Sequence, residues 1–239
     1  MTKKYMNEEI ITFKTSKKNY KGILHHPEKN NLNSIILFLG NPDWYNWGPR
    51  RILLEASRFF STKGFKCFRF DGICINENDR ENKFEIDFNE ILEAVSMSYK
   101  FLINNCIINE DTLIYYIGYC LGTYINIHVN NIIPIDAIIL WSIYLKDYNK
   151  PNSSEIHNSD LLHKSVKNKK KPLLVINGSF NNLNQDEYNL LKEIFNQEYY
   201  NFHYKCFKNC DQYFSNTILK LNLFKETFKW IKTLRNEDR

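Results

Sequence analysis

A chain of 239 residues, 43% hydrophobic and 15% aromatic, can bury a large core and lies in the size range of one α/β domain, so a single domain over 1–239 is expected. Its net charge of +5 is mild, and no apolar stretch reaches signal-peptide or membrane-spanning length, so the expected compartment is the cytoplasm. Six cysteines (67, 74, 106, 120, 206, 210) without C-x-x-C spacing argue neither for zinc nor for a disulfide scaffold, and most sit in apolar runs where a reduced thiol acts as a small hydrophobe.

Two amphipathic runs, 9–15 and 20–26, predict an opening hairpin, and the continuous apolar run 34–39 predicts a buried strand ended by Gly40-Asn41-Pro42-Asp43. Apolar residues at helical spacing (Ile52, Leu53, Ala56, Phe59, Phe60) predict a helix over 50–63 that stops at Gly64, followed by a strand over 65–70. A second helix is expected over 88–101, a strand over 113–117, a helix over 123–129 and a buried strand over 135–141. The pattern then continues as a strand over 172–176, a helix over 186–196, a strand with alternating faces over 201–207 and a final amphipathic helix over 216–234. Strands alternating with helices imply a mostly parallel sheet covered on both faces, with ligands at the carboxyl ends of the strands. The stretch 142–171, rich in Asn, Ser and Lys and carrying one helical pattern over 159–166, is expected to form a small lid. Its lysines 164, 167, 169, 170 and 171 predict a solvated loop rather than a patch for an acidic partner, and no recognition motif beside them supports a nucleic-acid site.

The sharpest chemical signal is Gly118-Tyr119-Cys120-Leu121-Gly122, set between the apolar run 113–117 and a helical pattern. It is the sulfur form of the G-x-S-x-G elbow, in which glycines allow a tight strand-to-helix bend that exposes a nucleophile above the sheet edge. A free thiol has a reference pKa of about 8.5 and is pulled downward at a helix N-terminus, so cysteine there depends less on a base than serine does. The opposing account is a buried cysteine kept only for its volume.

The order of elements, the elbow and the loop after Leu39 together resemble the α/β-hydrolase superfamily over nearly the whole chain. Gly40-Asn41-Pro42, then Tyr45, Gly48 and Arg51, then Arg69-Phe70-Asp71, are similar to the G-G-P, Y-x-x-G-x-x-R and R-F-D signatures of the exosortase-system-associated hydrolases, a group that also tends to place cysteine at the elbow. The resemblance implies acyl-enzyme chemistry: hydrolysis or transfer of an acyl group from a small-molecule ester or thioester, free or carrier-bound. No cofactor, metal, nucleic acid or membrane span is expected, and the oligomeric state is left open.

By the same resemblance Cys120 takes the nucleophile position, and the N–H of Leu121 is one oxyanion donor. The second donor comes from the loop after Leu39, where Asn41 is the choice because Pro42 has no N–H. The superfamily's acid falls at Asn181, within Gly178-Ser179-Phe180-Asn181, and its histidine falls at Gln212, within Asn209-Cys210-Asp211-Gln212. Asparagine serves as the orienting third member in Cys–His–Asn enzymes, whereas glutamine takes up no proton near neutral pH. The expectation is therefore a degenerate triad in which Cys120 takes an acyl group and transfers it or hydrolyses it slowly; the alternative is an inactive relative binding an acyl ligand or a partner protein.

Among the six histidines, His157 and His163 lie in the lid segment, where either could replace the missing base. His128 is two turns beyond Cys120, a rise of about 12 Å, too far to share a hydrogen bond with the thiol. His25 and His26 belong to the hairpin, His203 is expected to be a packed or edge residue, and Asp211 is expected to cap the final helix. Arg69 and Asp71 are expected to form a structural polar unit, and Trp44, Tyr45 and Trp47 to line an apolar acyl pocket or to pack the loop.

Overall fold

The computed structural model describes residues 8–27, 32–40, 47–70, 88–129, 131–143, 171–179 and 202–237. Within these the chain runs β1 (Glu8–Lys14), β2 (Asn19–His25), β3 (Ser34–Leu39), α1 (Ile52–Ser61), β4 (Lys66–Phe70), α2 (Phe88–Asn104), β5 (Leu113–Tyr119), α3 (Leu121–Val129), β6 (Ala137–Trp141), β7 (Leu173–Gly178), β8 (Phe202–Phe207) and α4 (Thr217–Glu237). The helical patterns over 159–166 and 186–196 lie outside the described residues.

The strands form one eight-stranded sheet in the order β1-β2-β4-β3-β5-β6-β7-β8. β1 and β2 pair antiparallel, β2 pairs antiparallel with β4, and every later pairing is parallel. The inner strands bury every residue of β3, β6 and β7, which follows from apolar helices covering both faces. Side chains alternate between those faces with period two. Leu37, Tyr116, Leu140 and Val175 meet Val95 of α2 and Ile125 of α3, while Phe38, Ile117, Trp141 and Ile176 meet Phe60 of α1 and Phe224 of α4. Each fully buried aliphatic or aromatic side chain contributes about 1.5–3 kcal/mol, so these two layers carry the stability of the sheet.

Local boundaries refine the expected ones. β5 runs on to Tyr119 and α3 begins at Leu121, not at 123, so Cys120 alone joins strand to helix. The cap of α4 is Asn216, whose side-chain oxygen accepts the N–H groups of Ile218 (2.9 Å) and Leu219 (3.2 Å). Asp211 instead folds the preceding loop, its Oδ1 accepting the N–H groups of Tyr213 (2.8 Å) and Ser215 (3.1 Å). The cysteines also differ from expectation: Cys67 and Cys210 are buried, Cys120 is half-buried, and Cys106 and Cys206 are exposed. No helix among the described residues is long and apolar enough to cross a membrane.

Candidate functional site

Cys120 has φ 54°, a left-handed conformation that costs a non-glycine residue energy and clusters at functional sites. Three backbone contacts hold it there. Its N–H donates to the carbonyl of Trp141 at 3.0 Å, tying the bend to the end of β6, and its own carbonyl accepts from the N–H (3.0 Å) and Oγ1 (2.5 Å) of Thr123.

The flanking glycines are explained by close approach. A Cβ at Gly118 would stand 2.5 Å from the carbonyl oxygen of Gly122, and one at Gly122 would collide with the carbonyl oxygens of Leu39 and Gly40. The first turn of α3 therefore presses against the end of β3, and the loop that follows Gly40 starts beside the elbow. Because Leu121 opens α3, its N–H belongs to the helix's first turn, whose donors have no acceptor within the helix.

Gln212 is half-buried in the loop between β8 and α4, and its backbone carbonyl accepts two hydroxyl hydrogen bonds, from Tyr119 (2.8 Å) and Ser142 (2.7 Å). Tyr119 immediately precedes the elbow cysteine, and Ser142 immediately follows Trp141, the residue that holds the Cys120 N–H. A Cβ at Gly178 would lie 2.5 Å from the carbonyl oxygen of Cys210 and 2.7 Å from that of Asp211, so the same loop also rests on the end of β7. The loop thus spans the carboxyl ends of β5, β6 and β7, and Gln212 and Cys120 share that end of the sheet. Asn177 braces the strands there, its side chain accepting the N–H of Ile143 at 3.0 Å and donating to the carbonyl of Ile143 at 3.4 Å.

Burial holds the Tyr119 hydroxyl well above the ordinary phenol range, and the charges of Cys120, Tyr213 and Asp211 push the same way, so it remains a neutral donor to Gln212. Cys210 is pushed up to about 11, first by burial and then by Asp211 and Cys206, so it is a neutral thiol at physiological pH. The described histidines have surroundings of their own. His128 is buried against the ring of Phe88 at 4.9 Å and lowered by burial to about 4. His25 lies under α1, accepting from Arg69 Nε at 3.2 Å, with Glu8 3.6 Å from its other ring nitrogen; burial, then the Arg69 charge, lowers it to about 4. His203 is exposed on β8 with its ring 6.3 Å from that of Trp230. Among the described residues no group of three or more His, Cys, Asp and Glu side chains is placed to hold a metal.

Asn41, Asn181, Asp71, Trp44, Tyr45, His157, His163 and the stretch 144–170 of the expected lid lie outside the described residues. Tyr119 and Ser142 are the neighbours of Gln212 that the linear pattern missed. A buried tyrosine needs a partner for its hydroxyl, but that partner is 93 residues away in sequence, so only folding reveals it.

No protein-family model matches the chain, and no curated protein matches it by sequence. Solved structures do. A dienelactone hydrolase from Anabaena variabilis superposes with TM-score 0.71 at 13% identity, covering 95% of this chain and 98% of that one. An esterase from Pyrococcus furiosus gives 0.73 at 13% identity, covering 95% and 91%. An acylaminoacyl peptidase from Pyrococcus horikoshii gives 0.72 at 16% identity over 96% of this chain and 42% of that longer one. At identities this low the shared property is architecture, and with the strand order and the left-handed bend at the end of β5 it leads to one conclusion: this chain has the α/β-hydrolase fold.

Proposed function

We propose that this protein accepts an acyl group from an ester or thioester onto Cys120. The left-handed backbone of Cys120 at the β5–α3 junction carries the reading, because that conformation costs a non-glycine residue energy and clusters where the side chain is used. The field of the helix N-terminus favours a thiolate at this place. The sulfur attacks the acyl carbonyl carbon, a C–S bond forms, and the alkoxide or thiolate leaving group departs with the electron pair of the broken bond. The N–H groups of Leu121 and Asn41 stabilise the tetrahedral oxyanion, while the side-chain amides of Gln212 and Asn181 orient the acyl group or an incoming nucleophile. Hydrolysis of the acyl-cysteine is slow, because a general base contributes typically about 10²- to 10⁴-fold and Gln212 is not one. Transfer to a good nucleophile is the favoured fate of the acyl group.

Short-chain acyl thioesters incubated with the protein are expected to leave one acyl adduct by intact mass, absent in Cys120→Ala. A protein of unchanged mass, or an adduct that persists in the variant, would end this reading. Gln212 favours a second reading, a catalytically silent relative that binds an acyl ligand or a protein partner in the same crevice; tight binding of a non-hydrolysable acyl analogue without any adduct would establish it.

A further inference from the structure

β1 stands at one end of the strand order, and among the described residues no strand pairs with its outer side. Its seven residues, Glu8–Lys14, include no proline or glycine, and its pairing with β2 keeps one register from Glu8↔His25 to Lys14↔Asn19, so no bulge interrupts it. Edge strands are usually blunted by such devices, and a long regular edge offers its backbone to another strand. Ile10, at 73%, is the most exposed large apolar side chain among the described residues.

The turn after β1 fixes which backbone groups face outward. The Thr15 N–H donates to the carbonyl of Lys18 at 2.9 Å, so Thr15 directs its backbone groups toward β2. Alternation along an antiparallel ladder turns those of Phe13, Ile11 and Glu9 the same way, and leaves those of Glu8, Ile10, Thr12 and Lys14 directed away from the sheet. A second copy of this strand, laid antiparallel with Ile11 opposite Ile11, sets Glu8 against Lys14 and Ile10 against Thr12, each twice over by the two-fold symmetry. In that register the outward N–H and C=O groups of both copies meet, and the charged ends are opposite in sign. A shift of two residues either way sets Ile10 against Ile10 or Thr12 against Thr12, and Glu8 no longer faces Lys14.

The charged ends are available for this. Lys14 is exposed and forms no ion pair among the described residues. Glu8 meets Arg58 at 3.0 Å and stands 3.6 Å from His25, both through Oε1, which leaves Oε2 for a lysine. Exposed Ile10 would be covered by Thr12 of the second copy and, diagonally, by its Ile10.

We infer that the outer edge of β1 docks β1 of a second copy, giving a two-fold dimer built on one continuous sheet. β1 runs in the same direction as β5, since two antiparallel pairings and then only parallel ones separate them. The second copy's β5 therefore runs the opposite way, and the two Cys120 elbows lie at opposite ends of the joint sheet. Each copy keeps its own elbow, so the inference stands apart from the acyl-transfer reading.

The test is sedimentation velocity on the full chain over a series of loading concentrations. A shift from monomer to dimer with rising concentration is expected, and a weak one, because a single strand edge buries less than a standard interface. Thr12→Pro removes an outward N–H and none from the β1–β2 ladder, and is expected to leave a monomer at concentrations where the unaltered chain is half dimeric. Lys14→Glu puts two like-charged pairs in place of two opposite ones, and is expected to raise the dissociation constant at least about tenfold. Far-UV circular dichroism and thermal midpoints check that both variants fold, and Lys14→Glu, at an exposed position, decides alone should Thr12→Pro fail to fold. A monomer at every concentration, or undiminished association by either folded variant, overturns the inference. Neither result bears on the acyl adduct of Cys120, and a missing adduct leaves the dimer standing.

Discussion

At the scale of single residues the elbow depends on the absence of side chains as much as on the cysteine. A Cβ at Gly122 would collide with the carbonyls of Leu39 and Gly40, both backbone atoms that cannot rotate away. Gly122→Ala is therefore expected to lower stability by about 3 kcal/mol in urea unfolding, at the upper end for overpacking. On the proposed acyl-transfer reading, Gln212 is what limits turnover. Placing an imidazole there by Gln212→His is expected to speed release of the acyl group from Cys120 by at least about tenfold, with a rate that rises through the histidine titration range, read by loss of the mass adduct over time. An unchanged rate would mean that the side chain at 212 does not reach the acyl-enzyme. The cysteine itself was legible in the sequence because its signal is local, two glycines and an apolar run within ten residues. The anchoring of Gln212 by Tyr119 and Ser142 was not, since those partners come from the ends of β5 and β6, far from it in sequence.

At the scale of elements, the apolar periodicities located the strands and helices that surround the site, and the differences lie at their ends. The final helix shows why. Asp211 and Asn216 are both good capping residues in the same short loop, and Asp211 was the expected cap. Asp211 is drawn into closing the loop over the strand ends, so Asn216 takes the first N–H groups of α4. Asn216→Ala is expected to cost about 1 kcal/mol, and its thermal midpoint should fall by a few degrees in calorimetry. Tyr119→Phe, which leaves the Gln212 carbonyl with Ser142 alone, should cost a similar amount of about 1 kcal/mol and loosen the loop against proteolysis. β8, an edge strand, alternates its faces as expected from Phe202 to Lys205, and departs only at Cys206, which is exposed like Lys205 before it.

At the scale of the whole molecule, two buried histidines on opposite faces of the sheet link the fold to pH. His25 and His128 titrate near about 4 in the folded protein, against an ordinary 6.5. Each is depressed, so its neutral form contributes stability that is fully present above pH 6.5 and is lost as pH falls through that value toward 4. Between pH 7 and pH 5 the loss amounts to at most about 2 kcal/mol per histidine. Urea midpoints at the two pH values check this, and His128→Gln should flatten the dependence; a stability that does not fall on acidification would contradict it. The cysteines act at the other end of the scale: Cys210, raised from 9.0 to about 11, favours the fold below pH 9 and loses that contribution as pH rises toward 11.

By itself the sequence determined the fold class, the order of strands and helices, and the sulfur at the elbow, because each of these is written in contiguous apolar periodicity or in glycine spacing that acts over a few residues. Tertiary structure decided what surrounds that sulfur: the Trp141 carbonyl on its N–H, the strained φ, the Gln212 loop held by two hydroxyls, and the burial of His25 and His128 away from the elbow. Those are contacts between segments far apart in the chain, and no local pattern specifies them, since a hydroxyl or an imidazole acquires its partner only when the packed layers bring one within reach.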